Sequence, residues 1–439
     1  MNIVEAYSKK LAISEKVYEK EHGGRALPNT KKIAIARVLA NTSEFLNEAF
    51  ANTTGTQLGN MSTYKKFCLD LTTVALPNLI ANELVLVYPM KSRTGYVQYM
   101  EFIAGSNKGG VKQNDVFNNP FKLGDMTEER VQYTSSAVVE PIAADATTFK
   151  AAWTPNGNVR LIKADGTEDV IDAEDAKEGV EITAGDYVKA AYVYDNVVIP
   201  QHDLPTLNVR MTGIPLEAKA RRIAIYYSQM AAFQAKTEMG IDLGEVLATQ
   251  ACAELSYEID TEVVTLLYKN ARKADELTFN KALPAGVSKR DHYAGFAEVI
   301  ELASQIIYDR TKKHAANYMV VSSSVKPILA MMEGWKAANQ TKINGPYFAG
   351  SLNGIKVFVS PALAAGDYFL GYNGDDMITS AAVYAPYMAI VPTQALGFAD
   401  GANSQGFATM YDLKLLNDAL LVGGKVVNEE RVIKMTTGE

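Results

Sequence analysis

Two cysteines and four histidines in 439 residues leave little material for metal or redox chemistry. Cys68 and Cys252 cannot build a disulfide framework and form no CxxC pair, so both are expected as core residues of a protein kept reduced or indifferent to redox. His22, His202, His292 and His314 sit in unrelated segments, none with another His, a Cys or paired carboxylates at ligand spacing, and read as surface or capping residues. The chain lacks a P-loop, a dinucleotide-binding glycine pattern, HExxH and GxSxG. Ser404, in GANSQG, has the wrong spacing for a nucleophile elbow and reads as a polar turn. No apolar run approaches the roughly 18 residues of a spanning helix. The opening MNIVEAYSKKLAISEKVYEKEHGG is charged throughout, without the apolar segment of a signal peptide, so a soluble, non-exported protein is expected. These absences leave no catalytic residue, cofactor or metal ligand to name and point away from an enzyme.

What is present is an ordinary globular composition, 48% hydrophobic and 21% charged, in a chain long enough for two or three domains. Its net charge of −7 is unevenly placed. Residues 1–40 hold eight Lys or Arg against four Glu, a balance of +4 that leaves −11 on the remainder. A basic arm on an acidic body suits self-association or contact with a polyanion; a solvated helix face is the plainer alternative. No basic stripe interleaved with stacking aromatics marks a dedicated nucleic-acid reader.

Behind Pro28, Asn29 and Thr30, the residues Ile35, Val38, Leu39, Thr42, Phe45, Leu46 and Ala49 recur at helical spacing, and a polar break follows from Asn52 to Asn60. From Tyr96 to Glu140, short strands are broken by Gly and Asn, as in IAGSNKGG and VFNNPFKLGD. Such a two-stranded excursion cannot bury a face alone and is expected to pack on another chain. Residues 145–199 read as a small β module, with Asn156-Gly157 and Asp165-Gly166 at hairpin spacing and alternation through Val188, Ala190, Tyr192 and Tyr194. Its acidic cluster, Asp165, Glu168, Asp169, Asp172, Glu174 and Asp175, lacks the order of a calcium loop and reads as a solvated edge rather than a metal site.

After Pro215 the spacing of Leu216, Ala220, Ile223, Tyr227, Met230 and Ala231 predicts a helix. A second series, Val246, Leu247, Gln250, Ala251, Leu255, Ile259, Val263, Leu266 and Leu267, predicts a long one, and a third helix is expected from about Ala294 to Lys313. Strands are expected at YMVVSSS, IKVFVS, YFLGYNG, AAVYAPYMAIV, GFATMYDLKLLN and VVNEERVIKM.

Three passages together carry a resemblance: PNLIANELVLVYPMKSRTGYVQYM from Pro77, IPLEAKARRIAIYYSQMAAFQAKTEMGIDLGEVLATQACAELSYEIDTEVVTLLY from Ile214, and YFLGYNGDDMITSAAVYAPYMAIVPTQALGFADGANSQGFATMYDLKLLN from Tyr368. In order and spacing they resemble the major capsid proteins of tailed phages, the T-even myovirus branch of the Hong Kong ninety-seven capsid fold. The resemblance spans about residues 60–430; 145–199 and 1–60 depart from it.

It implies an α+β fold with an N-terminal arm (1–76), the start of a peripheral domain and an extended loop (77–144), and an inserted small β module (145–199). Beyond these it implies a peripheral domain with a long spine helix (200–290), an axial domain (291–415) and a C-terminal return strand (416–439). The implied function is a shell subunit assembling as hexamers and pentamers around packaged double-stranded DNA, in the virion, with scaffold, portal and vertex proteins as partners and no membrane. A vertex-only paralogue or an encapsulin-type compartment protein shares that fold. An enzyme or glycan-binding protein working through 145–199 is the rival of another class. Family members are cut after Leu or Ile, any residue, then Glu, which Leu46-Asn47-Glu48 and, less well placed, Ile13-Ser14-Glu15 satisfy. Lys91, Lys108, Lys112 and Lys122 are present, but the T-even branch does not use lysine cross-links.

Overall fold

The computed structural model describes residues 3–21, 25–51, 69–70, 73, 77, 79–108, 111–116, 133, 136–194, 205–240, 243–284, 286–311, 313–338, 345–374, 376–392, 396–397 and 402–428. The chain is a mixed α+β protein of two compact units, one made of residues 1–97 and 214–439 and the other of 98–213. Cys68, His22, His202, Lys122, the Asn52–Asn60 break and the end of VVNEERVIKM lie outside the described residues.

The larger unit is organised on a seven-stranded sheet in the order Arg272–Asn280, Leu421–Val427, Asp367–Gly371, Tyr318–Val321, Ile355–Val359, Tyr347–Leu352, Trp335–Ala337. Its central strands YMVV and DYFLG are buried at every position, as continuous apolar runs are when both faces are covered. Helix Phe296–Thr311 lays Phe296, Ile300, Ala303, Ile307 and Thr311 on the core, the stripe its spacing predicts. Helix Leu243–Asn270 buries Ala251, Leu255, Ile259, Val263 and Leu267, whereas Val246, expected on that face, is half exposed. Gly424 is required where it stands: a Cβ there would lie 2.3 Å from the Tyr368 hydroxyl, which donates to Leu277 O at 2.7 Å.

A five-stranded sheet runs Leu86–Val87, Ala382–Pro392, Ala402–Leu415, Lys219–Ser228, with Leu396–Gly397 added on Ala402–Leu415. Here the helix expected after Pro215 is overturned. Lys219–Ser228 is a strand that pairs antiparallel with Ala402–Leu415 over ten residues, Ile223 opposite Phe407. The run RRIAIYY alternates at period two as well as satisfying helical spacing, and Ile223 and Ile225 pack on Ala251, Cys252, Leu255 and Phe407. Long-range pairing selects between two patterns the segment carries equally. Helix begins only at Gln229, where the Ser228 hydroxyl accepts from Ala231 N at 3.1 Å. Ser404, expected in a turn, lies in the partner strand opposite Tyr226. Within NLIANELVLVYP, Ala81–Leu84 forms one buried helical turn before the short strand Leu86–Val87.

The N-terminal helices Ser8–Glu21 and Asn29–Ala51 are part of this unit's core, contributing Leu11, Tyr18, Ile35, Val38 and Leu39, with Leu27 between them. Asn41 Nδ2 donates to Met90 O at 2.7 Å and Tyr387 O at 3.0 Å, and Leu46 packs with Met388 and Val391.

In the smaller unit, Ala137–Pro141, Tyr187–Val193, Val159–Lys163 and Glu168–Ile171 form a four-stranded sheet in that order, beside the pair Thr148–Phe149 and Val180–Glu181. Val138, Phe149, Val159, Leu161, Ala176, Ala190, Tyr192 and Tyr194 make its core, with Trp153 packed at 5.0 Å on Tyr194. The sheet takes its first strand from before residue 145, because Ala137 pairs with Val193 and closes the module at its base.

Candidate subunit-association surfaces

The ribbon formed by Thr94–Ala104 and Leu207–Glu217 is only two strands wide. In its distal part Arg210 Nε and Nη2 donate to the buried Glu101 carboxylate at 2.9 and 2.5 Å, and Thr212 joins at 3.3 Å. Alternation then sends Val209 and Met211 to the opposite side, where Met211 is 70% exposed, with Leu207 and Met100 also exposed. A two-stranded ribbon supplies no core of its own, so this apolar side is built to be covered by something else.

In the larger unit, Gln229–Glu238 buries none of its residues, yet carries Met230 and Phe233 one turn apart, 68% and 67% exposed. Tyr226 before it and Met239 after it are equally open. An isolated ten-residue helix is marginal in water. Its apolar ridge is therefore suited to a partner's surface.

A third feature is polar. Glu83, in the turn Ala81–Leu84, is almost fully buried and receives Tyr18 Oη and Lys31 Nζ on one oxygen and Lys356 Nζ at 2.6 Å on the other. Burial by itself would raise this carboxyl; the charges and hydrogen bonds of Lys31 and Lys356 outweigh it and hold Glu83 well below the usual carboxylate range. Asn373 Nδ2 donates to Glu83 O at 3.0 Å, and Asp260 accepts from Ala81 N at 3.0 Å, so the turn is tied to several separate segments.

These features are surfaces and anchors, not a reaction centre, and the sequence pattern of the family described as Major capsid protein Gp23 matches residues 61–435. The chain belongs to that family. As a Gp23-family major capsid protein it is a structural component of the tailed-phage head shell, not an enzyme. It is 26% identical to the major capsid protein of Enterobacteria phage T4 over 77% of this chain and 73% of that one. It is 24% identical to that of Vibrio phage KVP40 over 93% of this chain and 89% of the other. Among solved structures it is similar to that of Microbacterium phage Oxtober96, at 11% identity and a TM-score of 0.39, covering 80% of this chain and 91% of that one.

For this capsid protein the residues singled out in the sequence are dispersed. Glu15 lies within helix Ser8–Glu21, paired with Lys32 at 2.5 Å, and the preceding Ser14 is buried with its hydroxyl donating to Thr73 O at 2.9 Å. Glu48 lies in the last turns of Asn29–Ala51, after the buried Leu46. Of the module's acids, Asp169 pairs with Lys163 at 2.9 Å and accepts from Tyr187 Oη, Glu168 meets Arg160 at 3.5 Å, and Asp165 accepts from Thr167. Among the described residues no cluster of three or more His, Cys, Asp or Glu could hold a metal, and no helix is long and apolar enough to cross a membrane. His292 Nε2 bonds Asn280 O at 2.8 Å and His314 stacks on Tyr372, local roles that sequence spacing does not disclose. Lys108 is buried, its ammonium donating to Tyr133 O at 2.8 Å, and desolvation lowers it to about 8. The Glu83 node escaped sequence reading because its members come from distant segments; its one signal is a glutamate inside an otherwise apolar run.

Proposed function

We propose that this capsid protein tiles as hexamers and pentamers into a closed icosahedral shell around packaged double-stranded DNA, with scaffold, portal and vertex proteins completing the head. The observation that carries the reading is the presence of two different unpartnered apolar faces on one chain, the Leu207–Met211 edge and the Met230–Phe233 ridge. Unlike faces meeting between copies give heterologous contacts, which close into rings when the rotation between copies closes and run on as filaments when it does not. In this reading the ribbon is the extended loop, begun within 77–144 and returned by Leu207–Glu217; the spine helix of the peripheral domain (200–290), expected first in the passage from Ile214 where a strand stands, becomes Leu243–Asn270; 291–415 is the axial domain and 416–439 the return strand. A maturation cut in the arm, 1–76, falls after Glu48 rather than Glu15, and cutting there requires the end of Asn29–Ala51 to unwind, because a protease takes extended chain. Cross-linking through lysine is not part of the assembly, and Lys108 in particular is spent inside its own unit.

The test is negative-stain microscopy and sedimentation of the purified chain, with and without scaffold, beside Met211→Ser and Phe233→Ser variants. Rings and shells from the wild type, with capsomers lost in both variants, support the reading. A wild-type chain that stays monomeric at high concentration overturns it.

A further inference from the structure

A cavity of about 220 Å³ opens between the N-terminal helices and the large sheet of their own unit, against the Glu83 turn. Three cations line it. Arg25 stands in the connection between Ser8–Glu21 and Asn29–Ala51, Lys31 in the first turn of the second helix, and Lys356 on the strand Ile355–Val359. Among the described residues Glu83 is the only acidic group in its lining, so three positive charges stand against one negative and the walls carry an excess of +2. Glu83 takes a hydrogen bond from each ammonium, Lys31 on one oxygen and Lys356 on the other. A lysine ammonium has three donors and an arginine guanidinium five. For the Lys356 side chain that bond is the only one among the described residues. Arg25 has no hydrogen bond or ion pair among them, its guanidinium lying 5.1 Å from the centre of the Phe348 ring. The lining is also graded, with Glu83 almost fully buried, Lys31 and Lys356 partly buried and Arg25 exposed.

We propose that this cavity binds a free tetrahedral oxyanion of charge −2, of the inorganic phosphate class, which joins Arg25 and Lys31 of the N-terminal segment to Lys356 of the sheet. Cations that outnumber carboxylates and keep open donors attract an anion, and charge-assisted hydrogen bonds hold it. A dianion matches the excess in full, whereas a single carboxylate leaves half of it standing. The volume, several times the roughly 30 Å³ of one water, takes a phosphate with little solvent. A duplex presents its phosphates on a rod too wide to enter. The basic balance of residues 1–40 thereby acquires a local use, and the bound anion stabilises the packing of the N-terminal helices by mass action. The site belongs to the single subunit, whether or not shells form.

The experiment titrates the purified full chain, unassembled, with sodium phosphate and separately with sodium chloride of equal ionic strength, at a mildly alkaline pH where phosphate is a dianion. Calorimetry reads the affinity, and hydrogen exchange reads the place. One phosphate binds per chain and slows exchange in peptides covering residues 25–31, and chloride does neither. Arg25→Met and Lys356→Met each weaken phosphate binding about tenfold or more, the loss of a charge-assisted hydrogen bond. Arg25 is exposed, so its replacement leaves the core intact. Lys32→Met removes an equal charge one residue along, at a side chain outside the cavity and paired with Glu15, and binds phosphate as the wild type does. Absence of phosphate binding, equal protection by chloride, or equal losses in the Arg25 and Lys32 variants overturns the site. Short duplex DNA that protects the same peptides as phosphate does, with the same dependence on Arg25, overturns its assignment to a free anion.

Discussion

Replacing Asp260 by Asn should make the larger unit more stable near neutrality, by an amount that grows with pH. Asp260 is a helix residue 6% exposed, held by backbone N–H groups at Ala81 and Ile80, with Tyr384 as a titratable neighbour. Burial raises it from 3.8 to about 7, and the backbone bonds offset this only in part. The folded chain then binds more protons here than the unfolded chain between those two values, so stability falls as pH rises through that window and levels off above it. At about 1.4 kcal/mol for each tenfold change in acidity, the advantage of Asn, which keeps an acceptor for Ala81 N, should widen by roughly 3 kcal/mol from pH 5 to pH 8. Glu83 has the opposite sign, its contribution being lost only as pH falls below the ordinary carboxylate range, outside this interval. The assay is urea unfolding of unassembled subunits in a Trp153→Phe background, where Trp335 reports on the larger unit alone. Parallel pH profiles for the wild type and the Asp260→Asn variant would refute the reasoning, since they would mean that the carboxyl is ionised throughout or is solvated.

Leu267→Ala empties a fully buried position of the long helix and should cost about 2–5 kcal/mol in the same urea assay. Gly366→Ala should cost about 1–3 kcal/mol, because φ there is +87° and a Cβ would stand 2.2 Å from Val426 O; a neutral effect on melting would show that the turn relaxes freely. Joining residue 136 to residue 195 by a short Gly-Ser linker should leave a soluble subunit whose shells fail at lower temperature, since Ala137 and Val193 are already paired. Removing 145–199 instead strands the strand Ala137–Pro141 and should give aggregates by size-exclusion chromatography.

Periodicity alone determined much of this protein. The stripe of Ile35, Val38, Leu39 and Leu46 and that of Leu255, Ile259, Val263 and Leu267 fit the helical period, and the unbroken apolar runs of the central strands are too short for a helix and rich in β-branched and aromatic residues, so local sequence settled their structure. Three passages in order sufficed for the family, because residue identity along a chain survives where no single site does. Tertiary structure decided the rest. RRIAIYY satisfies two periods and became a strand only because Ala402–Leu415, far along the chain, offered ten residues of pairing. The arm's docking on its own subunit, the Glu83 node and the neutral-range Asp260 join residues separated by tens to hundreds of positions. Hydrogen bonding and desolvation act on distance in space, and sequence spacing carries no record of that distance until the chain has folded.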